Sequence, residues 1–155
     1  MQMTGPSRLH HTGYTVSSLE RSLGFYRDLL GCEVIATQEK QGGYLADIVG
    51  YPDAHVRMAH LRVPGSEHVI ELFEYAAPAG GLADVEPRNV GASHLCFVVD
   101  DLPTFYEELR SRGVDTFVSP PVEVDTGINT GGCALYLRDP DGITVELFQP
   151  PRAHA

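Results

Sequence analysis

This sequence is short of positive charge. Eleven Lys and Arg stand against 21 Asp and Glu, for a formal net charge of −10. A surface of that sign repels phosphate backbones and anionic lipid headgroups, so neither nucleic acid nor membrane is expected as a partner. No apolar run approaches 18 residues, so no membrane-spanning helix is expected. The opening Met1-Gln-Met-Thr-Gly-Pro6 lacks a basic segment leading into an apolar core, which argues against a secretory signal. Cysteine is scarce too: Cys32, Cys96 and Cys133 are odd in number and form no CxxC pair. That usage fits a reducing cytoplasm better than a disulfide framework.

What is present suits an ordinary globular chain. At 155 residues, 43% of them hydrophobic, it is long enough for one compact domain or two small modules sharing a core. Turn residues divide it into segments. Arg8 to Val16 reads as a strand, and Ser17-Ser18-Leu-Glu20 as a helix start in which Ser caps and Glu20 reaches back. Leu19, Leu23, Phe25, Tyr26, Leu29 and Leu30 recur at helical spacing before Gly31. Strands are then expected at 32–37, 44–49, 55–63 and 68–75. After a Pro/Gly/Ala-rich linker at 77–89 the order returns: a strand at 93–99, a helix capped by Asp101 with Pro103 in its first turn, and strands at 114–118, 132–138 and 142–149. Asp139-Pro-Asp-Gly142 is a strong turn signal between the last two. The tail after Pro150 is expected to fray. The fold class is therefore α+β with an internal repeat: a first module at 8–76, the linker, and a second module at 90–150.

The repeat carries chemistry. His11-Thr-Gly-Tyr-Thr-Val16 is matched by His94-Leu-Cys-Phe-Val-Val99, and Val69-Ile-Glu71-Leu-Phe73 by Thr144-Val-Glu146-Leu-Phe148. Side chains alternate faces along a strand, so His11 shares a face with Gly13 and Thr15, and Glu71 with Val69 and Phe73. A carboxylate among apolar neighbours on one sheet face is costly unless compensated. A lone His or Glu in such a strand is more often a packing or pairing residue than a ligand. The same two residue types in matched places of two modules shift that balance toward a divalent cation held by His11, Glu71, His94 and Glu146. Modules related by a pseudo-twofold axis would bring both pairs to one centre.

The chain resembles the vicinal oxygen chelate superfamily, which includes glyoxalase I, methylmalonyl-CoA epimerase, extradiol dioxygenases and bleomycin-resistance proteins. The resemblance rests on His10-His11-Thr-Gly-Tyr-Thr-Val16, Phe25-Tyr-Arg-Asp-Leu-Leu-Gly31, His68-Val-Ile-Glu71-Leu72, Gly91-Ala-Ser-His94 and Asp139-Pro-Asp-Gly-Ile-Thr-Val-Glu146, and spans about Leu9 to Pro150. It implies two tandem βαβββ modules forming a curved, barrel-like mixed sheet around a metal. By position the ligands would be His11, Glu71, His94 and Glu146. It also implies a homodimer, with the metal held within one chain or across the interface.

A set of two His and two Glu suits Ni²⁺, Co²⁺, Mn²⁺, Fe²⁺ or Zn²⁺ and leaves a six-coordinate ion two open positions. A small-molecule substrate with two vicinal oxygens would fill them. The expected reaction is proton abstraction α to a carbonyl, with Glu71 or Glu146 as base: an isomerase, an epimerase or a glyoxalase-type lyase. The alternative is an Fe²⁺ extradiol dioxygenase on a catechol, using His11, His94 and Glu146 with His60, Tyr75 or Tyr136 offered for the second sphere. Glu71 argues against it by filling a position that reaction needs open. A metal-free antibiotic-binding protein is the least favoured reading, because all four ligands are present.

Other residues are expected to be structural. His10 should face away from His11, while His55, His60 and His68 sit at loop edges or on the surface, with His60 able to line the cavity. Cys96 should pack, Tyr44, Tyr51, Tyr75 and Tyr136 should be mostly core, and 124–132 is either a lid or a turn. Arg57 and Arg62 alone do not make a CoA or glutathione site.

Overall fold

The computed structural model describes residues 5–152. The reading of Met1 to Thr4 as part of a non-secretory start, and of residues 153–155 as a frayed end, therefore lies outside the described residues. The chain divides between Leu82 and Ala83 into two compact units, and no helix among the described residues is long and apolar enough to cross a membrane.

The first unit runs β1 (His11–Thr15), α1 (Leu19–Tyr26), β2 (Glu33–Gln41), α2 (Gly43–Val49), β3 (His55–Arg62) and β4 (Val69–Ala77). The second runs β5 (His94–Val98), α3 (Leu102–Ser111), β6 (Val122–Glu123), β7 (Cys133–Arg138) and β8 (Thr144–Gln149). Each unit holds an open four-stranded mixed sheet, in the order β1-β4-β3-β2 or β5-β8-β7-β6. In both, the first and last strands of the unit pair in parallel and the other pairs are antiparallel. The expected α+β class and the repeated modules are thus present.

Three local expectations are corrected. Residues 44–49 form helix α2 and not a strand. Gly50 takes the left-handed conformation at its end (φ 77°), and Leu45 packs with Val56 and Met58 on the sheet. Residues 114–118 form no strand: they meet β7 at an isolated bridge from Phe117 to Leu137, where Thr116 Oγ1 also donates to Arg138 O at 2.7 Å, and the short edge strand is β6 instead. Glu20 does not complete a capping box: Ser18 accepts from the Arg21 N–H, while the Leu19 N–H donates to Glu74 Oε2 at 2.6 Å. The second unit repeats that device, with Leu102 N–H donating to Gln149 Oε1 at 2.8 Å. Helices α1 and α3 are therefore each tied at the first N–H to the residue three beyond Glu71 or Glu146 of their own unit.

Helix α1 covers one face of the first sheet over Leu61, Ile70 and Leu72, all fully buried. In the second unit α3 packs on β8, over Val145 and Leu147. The opposite faces carry His11, His60 and Glu71, or His94, Tyr136 and Glu146. Segment 124–132 is a closed turn and not a free lid: Gly131 N–H donates to Val124 O at 2.8 Å and Gly132 N–H to Asn129 O at 2.9 Å.

Glu74 joins three parts of the first unit, since Arg57 also ion-pairs with it. Burial pushes its carboxyl up, but the Leu19 N–H and the Arg57 guanidinium outweigh that and hold it below the usual value. A group lowered on folding stabilises at neutral pH and loses that contribution as pH falls through the carboxylate range. Glu74→Ala is expected to cost about 1–2 kcal/mol in urea unfolding at pH 7, whereas Glu74→Gln, which keeps the acceptor as Gln149 does, should cost less. The gap between wild type and Glu74→Gln should close on acidification.

Candidate metal centre

Parallel pairing is what brings each His to its Glu. Gly13 lies opposite Glu71 and Cys96 opposite Glu146, so each His, two residues earlier, sits diagonally from the carboxylate on the same face. The distances are equal: His11 Nε2 to Glu71 Oε2 is 3.2 Å, and His94 Nε2 to Glu146 Oε2 is 3.2 Å. The imidazoles are 39% and 43% exposed, the carboxylates only 12% and 21%. Each pair thus presents an open nitrogen beside a largely enclosed oxygen.

The four expected ligands are accordingly found as two matched pairs, and no group of three or more His, Cys, Asp or Glu among the described residues is spaced to hold an ion. Each pair by itself fits one. Donors at about 2.0–2.2 Å from a metal and at right angles stand about 3 Å apart, which is the separation seen. His10 adds to this fit. It was expected to face away, yet its Nδ1 lies 2.8 Å from His11 Nδ1, the kind of outer contact that orients a ligating imidazole while leaving Nε2 for the ion.

The surroundings of the two carboxylates differ. His60 is opposite Glu71 in the β3–β4 ladder, with Nε2 2.6 Å from Oε1. Tyr136 is opposite Glu146 in the β7–β8 ladder, and its ring centroid is 5.3 Å from that of His94. Burial first, then the charges of Glu146 and Cys96, push the Tyr136 hydroxyl up. Gly13 places no side chain beside Glu71, and a Cβ there would approach Phe73 Cε2 to 3.1 Å. Cys96, expected to pack, is instead exposed beside Glu146. Partial burial of its sulfur, then the carboxylate's charge and hydrogen bond, push the thiol up to about 12.

The remaining candidates have other partners. His68 Nε2 is 3.0 Å from Thr12 Oγ1, and His55 Nε2 is 2.6 Å from Glu39 Oε1. Arg57 pairs with Glu74 and Arg62 with Glu33. Tyr75 packs against the Leu45, Val56 and Met58 cluster, with an edge contact to Tyr51. Tyr44 and Tyr51, expected in the core, are exposed. An open hollow of about 460 Å³ beside α2, lined by Gly43, Ala46, Asp47, Gly50 and Pro52, shares no residue with either His–Glu pair.

A family model described as Glyoxalase/Bleomycin resistance protein/Dioxygenase superfamily matches residues 8–147. The chain is 29% identical to 2-epi-5-epi-valiolone epimerase of an Actinomyces species, over 95% of this chain and 81% of that protein. It is 31% identical to biphenyl-2,3-diol 1,2-dioxygenase 3 of Rhodococcus globerulus, over 94% of this chain but 64% of that longer protein. Among solved structures, a glyoxalase family protein from Bacillus cereus superposes with a TM-score of 0.82 at 20% identity, covering 97% of this chain and 99% of that one. That likeness bears on the fold.

The Cys96 environment makes a prediction that separates exposure from reactivity. In chelator-treated protein at pH 8, iodoacetamide should alkylate Cys96 far more slowly than an unhindered thiol, because so little is thiolate. Glu146→Gln removes the anion that raises the thiol's pKa, so alkylation should speed up; an unchanged rate would count against the contact.

Proposed function

Because the chain belongs to the glyoxalase/bleomycin resistance/dioxygenase superfamily, we propose that it is a divalent-metal-dependent enzyme that abstracts a proton α to a carbonyl. It acts as an isomerase, an epimerase or a glyoxalase-type lyase on a small molecule with two vicinal oxygens. His11, Glu71, His94 and Glu146 would hold one ion, drawn from Ni²⁺, Co²⁺, Mn²⁺, Fe²⁺ and Zn²⁺, in a homodimeric protein of the cytoplasm, where its free thiols stay reduced.

The observation that carries the reading is Glu71. It is turned toward His11 at the same 3.2 Å that separates Glu146 from His94, so both units offer a nitrogen and an oxygen. When bound, the ion stabilises the negative charge that develops on adjacent substrate oxygens as the neighbouring carbon loses its proton. The residues do the rest. The imidazoles bind through Nε2, and His10 orients His11. A carboxylate oxygen, from Glu71 or Glu146, takes the proton from carbon; in an isomerase it returns it to the neighbouring carbon, and in an epimerase the other carboxylate would deliver a proton to the opposite face of the same carbon.

A second reading, an Fe²⁺ dioxygenase on a catechol, is favoured by His60 beside Glu71, by Tyr136 beside Glu146, and by the dioxygenase relative. Glu71 weighs against it, since a fourth protein ligand fills a position that diol and O₂ would share.

Metal analysis tests the site. Wild type should carry one ion per chain, and Glu71→Ala and Glu146→Ala should each lower the content; full occupancy in both variants would sink the four-ligand site. The reaction class is tested separately. Deuterium from solvent should enter the α-carbon of a turned-over carbonyl substrate, whereas oxygen uptake with catechols would favour the second reading.

A further inference from the structure

The two carboxylates are held differently from behind. Glu71 lies between Gly13 and His60 in its ladders, and Glu146 between Cys96 and Tyr136. Gly13 brings no side chain, so the approach to Glu71 from within the sheet falls to His60, whose Nε2 is 2.6 Å from Oε1. The other ring nitrogen of His60, Nδ1, is buried and has no hydrogen-bond partner. An orphaned buried N–H is costlier than a buried lone pair, so the ring proton belongs on Nε2, where it is donated to Glu71. One oxygen of Glu71 is thereby engaged, and the other faces His11. Glu146 has no such donor opposite it: its neighbours are a thiol, which donates weakly, and a tyrosine whose ring lies against His94.

We infer that His60 is a positioning residue for Glu71: by holding Oε1 it leaves only Oε2 for the ion and fixes the direction from which Glu71 binds it. This rests on the four-ligand reading above. His60 acts through Glu71 and need not touch substrate.

Calorimetric titration of Mn²⁺ and Ni²⁺ into the chelator-treated full-length protein tests it. His60→Ala should weaken binding about 10–100-fold, as loss of an outer-shell partner does. His60→Gln, whose amide nitrogen reaches about where Nε2 stood and still donates, should recover most of that affinity.

If neither ion binds wild type, the ligand site itself fails. If wild type binds and His60→Ala binds equally well, the clamp alone is overturned. Equal losses in His60→Ala and His60→Gln also overturn it, because the donated hydrogen bond is then not what matters. Should His60→Ala fail to fold by circular dichroism, His60→Leu, which fills the space and donates nothing, replaces it under the same outcomes.

Discussion

The parallel pairing of the first and last strands in each unit is the constraint on which the rest depends. It joins the two ends of a module, so a His at the start and a Glu near the finish become neighbours although 60 or 52 residues separate them. Side chains alternate with period two, and a slip of one residue would turn either partner to the helix-covered face. A slip of two would keep the face but break the tie between helix and strand, since Leu19 N–H reaches Glu74 and Leu102 N–H reaches Gln149. Helix docking and the register of the His–Glu pair are therefore one problem with one solution. The same strands bury Ile70 and Leu72, or Val145 and Leu147, on their other face, so the hydrophobic core enforces the register that the polar face uses.

Local turn chemistry sharpens the second carboxylate's position. Asp139 is buried, and its Oδ1 accepts from the Asp141 and Ile143 N–H groups at 2.9 and 2.8 Å. This Asp-Pro-Asp-Gly turn fixes where β8 begins, and Arg138 reaches across it to Thr144 and the Gly142 carbonyl. Three residues beyond Ile143 stands Glu146. In the first unit the turn at 64–66 does the corresponding work before Glu71, with Ser66 N–H donating to Val63 O at 3.1 Å.

Most of this was legible because it depends on short-range periodicity. The repeat, the parity of His11, Glu71, His94 and Glu146, and both long helices follow from patterns of a few residues. Helix α2 did not, because Tyr44, Leu45, Ile48 and Val49 form a short apolar run that suits either a strand or a helix. What decides is tertiary: Leu45 finds Val56 and Met58, which a strand at this place would not cover. The 114–118 segment has strand-like residues, but it meets β7 at one residue pair, which makes a bridge and not a strand. His60 has no such signal: equal counts outward from the 64–66 turn set it opposite Ile70, and from Asp139–Gly142 set Tyr136 opposite Val145, whereas the observed partners, Glu71 and Glu146, each stand one residue further on.

The repeat therefore says two things at once. Where the halves agree, at His, Glu and the residue three beyond Glu, they build the common frame: a His–Glu pair and the strap that holds its register. Where they disagree, at Gly13 against Cys96 and His60 against Tyr136, they change what surrounds a carboxylate without moving it. A strong donor opposite one Glu and a weak donor beside the other alter how firmly each is held, while the His–Glu separation stays at 3.2 Å in both units. Duplicated modules with identical surroundings would give two carboxylates of equal strength, and neither would be the better base. Under the proposed reaction, differences confined to the neighbouring register positions would make the two carboxylates of a repeated module unequal.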